Sequence, residues 1–468
     1  MALGFWTLDP PANATAIVCE GGHRLTYGDL RQGCDQFSES LPIREEKTFG
    51  FVLCRNTPQC LMAYLGALRS EQAVCLLDAD LQSDFLHQML VRYSPDWVFA
   101  PQQTLVPGYV VNEIVNGFLF VRKMHSSDSR TRLRIDPQLA LTLPTSGSTG
   151  SPKLVRLSLQ NLQSNAVSIS SYLGITSDDR AITSLPMSYS YGLSVLHTHL
   201  LAGGQLLMTT SSFMQREFWD FVSQYHPTSM AGVPYHYEIM LRTGMLEKEF
   251  CSFRTITQAG GRLGPKHISL VETLSSRRGW RFFVMYGQTE ATARISYVPH
   301  ERLREKVGSI GLAIPGGTLS LDEKTGELLY EGPNVMLGYA DDRNDLSKGD
   351  ELNGYLRTGD LARIDEDGYY YIVGRLKRFL KVYGKRVSLD EIEGLIGQYG
   401  GGLAACFGAD DQVRVALEAS GNEQIVNGVL KDLLKIHPSA FRVVKLDALP
   451  RLPNSKIDYP SLTRLEGL

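Results

Sequence analysis

No two cysteines in this 468-residue sequence are spaced Cys-x-x-Cys, and the seven present (Cys19, Cys34, Cys54, Cys60, Cys75, Cys251, Cys406) are scattered and odd in number. That pattern argues against a disulfide framework and a cysteine zinc site, and it fits a reducing, cytoplasmic compartment. No run of about 18 apolar residues is present, so no membrane span is expected. The most apolar stretch, residues 184–208, is interrupted by Ser188, Ser190, His197, His199 and Gln205, and reads as a buried helix with a pocket face. Residues 1–11 lack a basic region followed by an apolar one, so no secretory signal is expected. Charge of one sign is not in excess: 47 basic against 50 acidic side chains leave a net charge of −3. Nothing electrostatic therefore points to a nucleic-acid partner. There is no internal repeat, and no G-x-x-x-x-G-K-[ST] phosphate loop.

What is present is an α/β rhythm. Phe49-Gly50-Phe51-Val52-Leu53-Cys54 and Ala73-Val74-Cys75-Leu76-Leu77-Asp78 read as buried strands flanking a helix over 60–68. Strand, helix and strand in succession mark a largely parallel sheet. Strands over 254–259 and 281–286 both end at glycine, Gly260-Gly261 and Gly287, which places loops at the carboxyl edge of a sheet where such folds bind ligands. From 324 to 372 the chain becomes strand- and turn-rich, with Asp367-Gly368 ahead of three tyrosines. Beyond Gly374 it turns basic. Ser388 with Glu391 spells a capping box, residues 425–434 carry helical spacing, and 441–446 reads as a strand. The length, at about 100–200 residues per domain, suggests two to four domains.

The densest chemistry lies at Thr145-Ser146-Gly147-Ser148-Thr149-Gly150-Ser151-Pro152-Lys153, directly after the strand-like Leu139-Ala140-Leu141-Thr142-Leu143-Pro144. Glycines let backbone N–H groups converge on an anion, hydroxyls add donors, and lysine adds charge. Ser151 and Pro152 separate Gly150 from Lys153, so the lysine does not take the position it has in a P-loop kinase or ATPase. Tyr286-Gly287-Gln288-Thr289-Glu290 follows a strand and sets a carboxylate beside hydroxyl and glycine. It reads either as a helix cap or as a Mg²⁺ site that needs a phosphate partner. Thr358-Gly359-Asp360, Gly374-Arg375-Leu376-Lys377 and Pro453-Asn454-Ser455-Lys456 are each weak when read singly.

In this order and spacing the chain resembles the adenylate-forming superfamily of acyl- and aryl-CoA synthetases, peptide-synthetase adenylation domains and beetle luciferases. The resemblance also takes in Leu25-Thr26-Tyr27 with Leu30 and covers nearly the whole chain. It implies a large N-terminal α/β domain (1–374), with sheets flanked by helices and a β-rich subdomain, and a small mobile α+β domain (375–468). The implied reaction activates a carboxylic acid with ATP and Mg²⁺, releases pyrophosphate, and passes the acyl group to the thiol of CoA or of a carrier protein's phosphopantetheine. No carrier domain follows Leu468, so such a carrier is expected to act in trans.

By the same resemblance Thr145, Ser146, Gly147, Ser148, Thr149, Gly150 and Lys153 cradle phosphates. Thr289 contacts phosphate, Glu290 holds the metal, and Tyr286 with Gly260 and Gly261 flanks adenine, beside Gly287 and Gln288. Asp360 and Arg375 take the ribose, Lys456 bridges carboxylate and α-phosphate, and Lys377 is the hinge that swings Lys381 and Gly384 inward. Tyr189, Tyr191, Gly192, Val233, Pro234, Tyr235 and Ala259 are the implied acid pocket. Gly192 aligns with the Asp that pairs with an α-amine in peptide synthetases, so an acid without an α-amine is expected. Tyr189 stands where many acyl-CoA synthetases carry His. An amino-acid-activating ligase and a non-catalytic nucleotide-binding scaffold are the alternatives.

Overall fold

The computed structural model describes residues 4–41, 46–115, 117–123, 134–144, 153–248, 252–376, 378–383, 385–452 and 456–465. Thr145, Ser146, Gly147, Ser148, Thr149, Gly150, Lys377 and Gly384 lie outside these, so the expected phosphate loop is represented by Lys153 alone.

Two large sheets share one core. In the first, nine strands run in the order Leu312–Ala313, Ser296–Tyr297, Arg281–Tyr286, Thr255–Gln258, Ser229–Gly232, Arg180–Ile182, Gln205–Met208, Thr15–Cys19 and Arg24–Thr26. In the second, eight strands run Gly338–Ala340, Leu154–Ser158, Leu139–Pro144, Ala73–Asp78, Phe49–Cys54, Trp97–Pro101, Phe118–Lys123 and Tyr109–Val115. Helices Pro58–Arg69, Leu159–Leu173 and Ser190–Ala202 join the sheets. Leu61, Leu162 and Leu196 fall in one buried cluster with Ile17 and Leu206 of the first sheet and Val52 and Leu157 of the second. Local sequence sets the helix ends. Thr57 caps Pro58–Arg69 with proline in its first turn, and Ser158 forms a capping box with Asn161. Gly174 closes that second helix in the left-handed region at φ 62°.

A four-stranded antiparallel sheet (Thr318–Leu321, Glu327–Glu331, Tyr355–Ile364, Tyr370–Arg375) follows. The strand Tyr370–Arg375 runs through residue 374, so Arg375 pairs with Asp360 inside that sheet. From Phe379 onward a hairpin and a three-stranded sheet (Ala404–Ala409, Gln412–Glu418, Phe441–Leu446) build a separate core around Ile392, Cys406, Val415 and Leu430. The α/β class and the parallel strands at 49–54 and 73–78 are as expected. Residues 184–208 are not one helix: the helix ends at Ala202, Gly203 turns at φ 75°, and Gln205–Met208 joins the sheet. Ser188, Ser190 and Gln205 therefore mark element boundaries rather than a polar helix face. Ser388 accepts from the Glu391 amide at 3.2 Å as one half of a capping box. The spacing at 425–434 folds as the helix Glu423–Gly428 followed by a π-turn.

Arg156 ties the edge of the second sheet together. It is fully buried, and it donates to the carbonyl oxygens of Tyr339 (3.1 Å), Leu337 (3.3 Å) and Gly349 (3.2 Å) and to the Glu351 carboxylate. Substituting Met removes a donor from each of those carbonyls and the cation from Glu351, although the Leu337 carbonyl keeps the Glu351 N–H at 2.8 Å. Because Glu351 is 46% exposed and stays solvated, the cost is that of the buried carbonyls alone, and Arg156→Met is expected to lower stability by about 1–3 kcal/mol, read as an earlier urea midpoint. An unchanged midpoint would show that the guanidinium contributes nothing net.

Candidate active site

The strands Arg281–Tyr286 and Tyr355–Ile364 deliver the two centres of the site. Tyr286 Oη donates to Asp360 Oδ2, and Arg375 Nε donates to Asp360 Oδ1 at 3.0 Å. Asp360 is 6% exposed. Burial pushes its carboxyl up from the usual value, with Arg375 and Tyr286 pulling it back. Burial, then Asp360, pushes the Tyr286 phenol well up. Gly287 has a packing reason: a Cβ there would lie 2.0 Å from the Ala293 carbonyl oxygen.

Glu290 sits in the 3₁₀ turn Thr289–Ala291, and its Oε1 accepts from Tyr339 Oη at 2.8 Å. Thr289 Oγ1 is 3.3 Å from Ser190 Oγ at the start of helix Ser190–Ala202. Lys153 Nζ is 3.3 Å from Asp341 and 5.9 Å from the Tyr339 ring centre. Tyr339 thus stands between Lys153 and Glu290. Sequence reasoning missed it, because a lone Tyr in a β-edge run carries no motif.

The C-terminal unit reaches this place through two cations. Arg451 bridges to Ile457 and stacks over Tyr235 at 4.2 Å, and Lys456 Nζ lies 5.5 Å above the Tyr189 ring. The Lys456 ammonium is lowered from the usual lysine value, first by burial and then by Arg375, while Glu290 and Asp360 oppose the shift. Four residues far apart in the chain therefore share one field.

Tyr189, Tyr191, Val233, Tyr235 and Ala259 fall in one apolar cluster. A Cβ on Gly260 would meet Tyr189 Oη at 2.4 Å, and one on Gly261 would meet Pro234 at 3.1 Å. Gly260 itself turns at φ 82°. Tyr191 donates to the Thr257 carbonyl at 2.9 Å, which fixes its ring. Gly192 has its own packing reason: a Cβ there would lie 2.2 Å from the Pro186 carbonyl oxygen. Its lack of a side chain is thus required by the helix approach and is not by itself a statement about substrate. Among the described residues no cluster of three or more His, Cys, Asp or Glu side chains could hold a metal. Mg²⁺ bound chiefly through phosphate oxygens needs only one or two carboxylates, and Glu290 fits that donor set.

The sequence profile of the AMP-binding enzymes matches residues 6–340. The chain belongs to that family. This AMP-binding enzyme is 28% identical over 358 residues to the 2-succinylbenzoate–CoA ligase of Bacillus velezensis, covering 71% of each chain. It is 31% identical over 342 residues to a feruloyl-CoA synthase of an Amycolatopsis species, covering 68% of each. Its fold is shared with the o-succinylbenzoate CoA synthetase of Bacillus subtilis bound to its acyl-adenylate, at a TM-score of 0.77 and 22% identity over 98% of both chains. It is an AMP-forming ligase of the adenylate-forming superfamily, and none of its described helices is long and apolar enough to cross a membrane.

Proposed function

We propose that the enzyme converts a carboxylic acid lacking an α-amine to its acyl-adenylate and then forms the CoA thioester. One carboxylate oxygen of the acid attacks the α-phosphorus of ATP, the bond to the β-bridging oxygen breaks, and pyrophosphate leaves. The thiol sulfur then bonds to the acyl carbon, the acyl–oxygen bond breaks, AMP leaves, and the thiol proton goes to solvent. The observation that carries this reading is the convergence of Glu290, the Asp360–Arg375 pair and Lys456 beside the Tyr189 ring.

The substrate carboxylate is itself the nucleophile, so catalysis rests on holding two anions together and stabilising phosphate charge. Lys456 is set between them. Its ammonium is depressed in the free protein, and two incoming anions raise it again, so the bridging group is charged when both are bound. Asp360, steered by Tyr286 and Arg375, accepts from the ribose hydroxyls. Tyr286 and the Gly260-Gly261 backbone flank adenine. Thr289 and Lys153, with the residues from Thr145 to Gly150, hold phosphate. Glu290 would hold Mg²⁺, which would supply neutralisation of phosphate charge when bound. Domain rotation at Lys377 then withdraws Lys456 and admits the thiol.

The names of the relatives, CoA ligases and synthetases, favour CoA over a carrier protein in trans. The absence of an α-amine is supported by charge. Asp179, the acid beside the apolar cluster, is engaged by Arg254 and Thr228, each at 2.9 Å. No described carboxylate in that cluster is left to meet an ammonium. The six cysteines within the described residues are free, in keeping with a cytoplasmic location. Carboxylate-dependent ATP–pyrophosphate exchange over aryl, short-chain and medium-chain acids, mono- and dicarboxylic, tests the reading. Exchange with at least one acid, followed by CoA thioester formation, is the expected result. Silence across the panel would favour a nucleotide-binding scaffold.

A further inference from the structure

Arg294 is four residues beyond Glu290, between that turn and the strand Ser296–Tyr297. It is 3% exposed. Its guanidinium lies 3.9 Å from the Tyr191 ring centre and lines a cleft with Leu173, Tyr191, Met285 and Arg281. Nη1 donates to the Ala293 carbonyl at 3.1 Å and the Tyr172 hydroxyl is a further side-chain partner, while Nε makes no hydrogen bond among the described residues. No described carboxylate is within ion-pair distance of it, and Asp179, which shares the cleft, is engaged by Arg254.

A buried guanidinium without an acid and with an unmade hydrogen bond is a strongly unfavourable arrangement. Stacking on Tyr191 offsets only part of that cost. A merely structural cation gains no ionic partner from a cleft whose walls include Leu173, Met285, Tyr191 and a second cation, Arg281. The arrangement becomes favourable when a ligand brings a planar anion with two oxygens, which matches the guanidinium fork. The location supports this. Tyr189 and Tyr191 sit edge to face, 6.3 Å between centres, with Lys456 over the first ring and Arg294 over the second. A cation thus stands at each end of one aromatic wall.

We propose that the acid activated by this enzyme is a dicarboxylic acid, its reacting carboxylate at Lys456 and its second carboxylate on Arg294. This rests on the acid-activating reading above and narrows it to a substrate class. The two cations then do different work: Lys456 acts on the atoms that react, and Arg294 sets which acid is held and in which direction.

The test compares matched pairs in ATP–pyrophosphate exchange: hexanoate with adipate, and phenylpropanoate with its ring-carboxylated counterpart. Wild type is expected to favour one diacid over its partner by about 10- to 100-fold in kcat/KM, the range for a hydrogen-bonded charge pair. Arg294→Met should bring that ratio close to one, and Arg294→Lys should leave part of it. Wild-type preference for the monoacids, or an unaltered ratio in Arg294→Met, would overturn the proposal. If Arg294→Met does not fold, the wild-type ratio and the Arg294→Lys ratio decide between the same outcomes. No exchange with any acid would instead sink the acid-activating reading, so the two failures are distinguishable.

Discussion

Lys456→Ala is expected to lower acid-dependent ATP–pyrophosphate exchange by at least about 10²–10³-fold, the loss that follows removal of one aimed charge stabiliser. Thioester formation from supplied acyl-adenylate should be spared. The asymmetry follows from geometry and charge. Lys456 arrives from the C-terminal unit, sits over Tyr189, and feels Glu290 and Asp360. In its proposed role it neutralises the approach of one anion to another, a need that exists only while carboxylate and triphosphate meet. The thiol step starts from an adenylate in which the acid has already lost its charge. Stability should change little or rise, because burial opposes the ammonium in the free protein. Exchange kinetics and single-turnover transfer from synthetic adenylate check both halves. Equal loss of the two steps would remove Lys456 from its proposed role.

Local pattern and motif order made much of this legible from sequence. The strands at 49–54, 73–78, 281–286 and 441–446 coincide with the apolar runs, and the third stops at Gly287. Tyr286 and Asp360 lie 74 residues apart, yet each belongs to a short motif, so their meeting followed from the resemblance. Tyr339 and Arg294 were not legible. Each is a single residue whose significance lies in a neighbour from another strand or helix, Glu290 for one and Tyr191 for the other. Nothing in the string separates a buried arginine from the many on the surface. Gly192 is a case of a second reason hidden from the sequence. Its small size bears on the substrate, and the Pro186 carbonyl supplies a backbone reason for glycine as well, which the sequence does not show. Residues 184–208 were misread because apolar content does not distinguish a buried helix from a helix joined to a buried strand.

Asp360→Asn is expected to raise the KM for ATP by about 10- to 100-fold, because hydrogen bonds to a charged acceptor are worth about 1.5–3 kcal/mol and the amide offers one weaker oxygen to the ribose. Folding should not suffer. The Asp360 carboxyl is held above its usual value of 3.8 by burial. Its ionisation therefore opposes folding, a cost absent below the unfolded value and fully present once pH rises past the folded one. Removing the charge should leave the thermal midpoint at neutral pH unchanged or higher, since the Arg375 side chain is 63% exposed and keeps its water. The same shift sets a pH dependence. As pH falls, wild-type affinity for ATP should decline before reaching 3.8 as Asp360 protonates, and the Asn variant should lack that contribution. A lowered midpoint together with an unchanged KM would make Asp360 a structural partner of Tyr286 and Arg375. A raised KM in a protein of undiminished stability would mark it as a group kept at a cost to the fold for the nucleotide it receives.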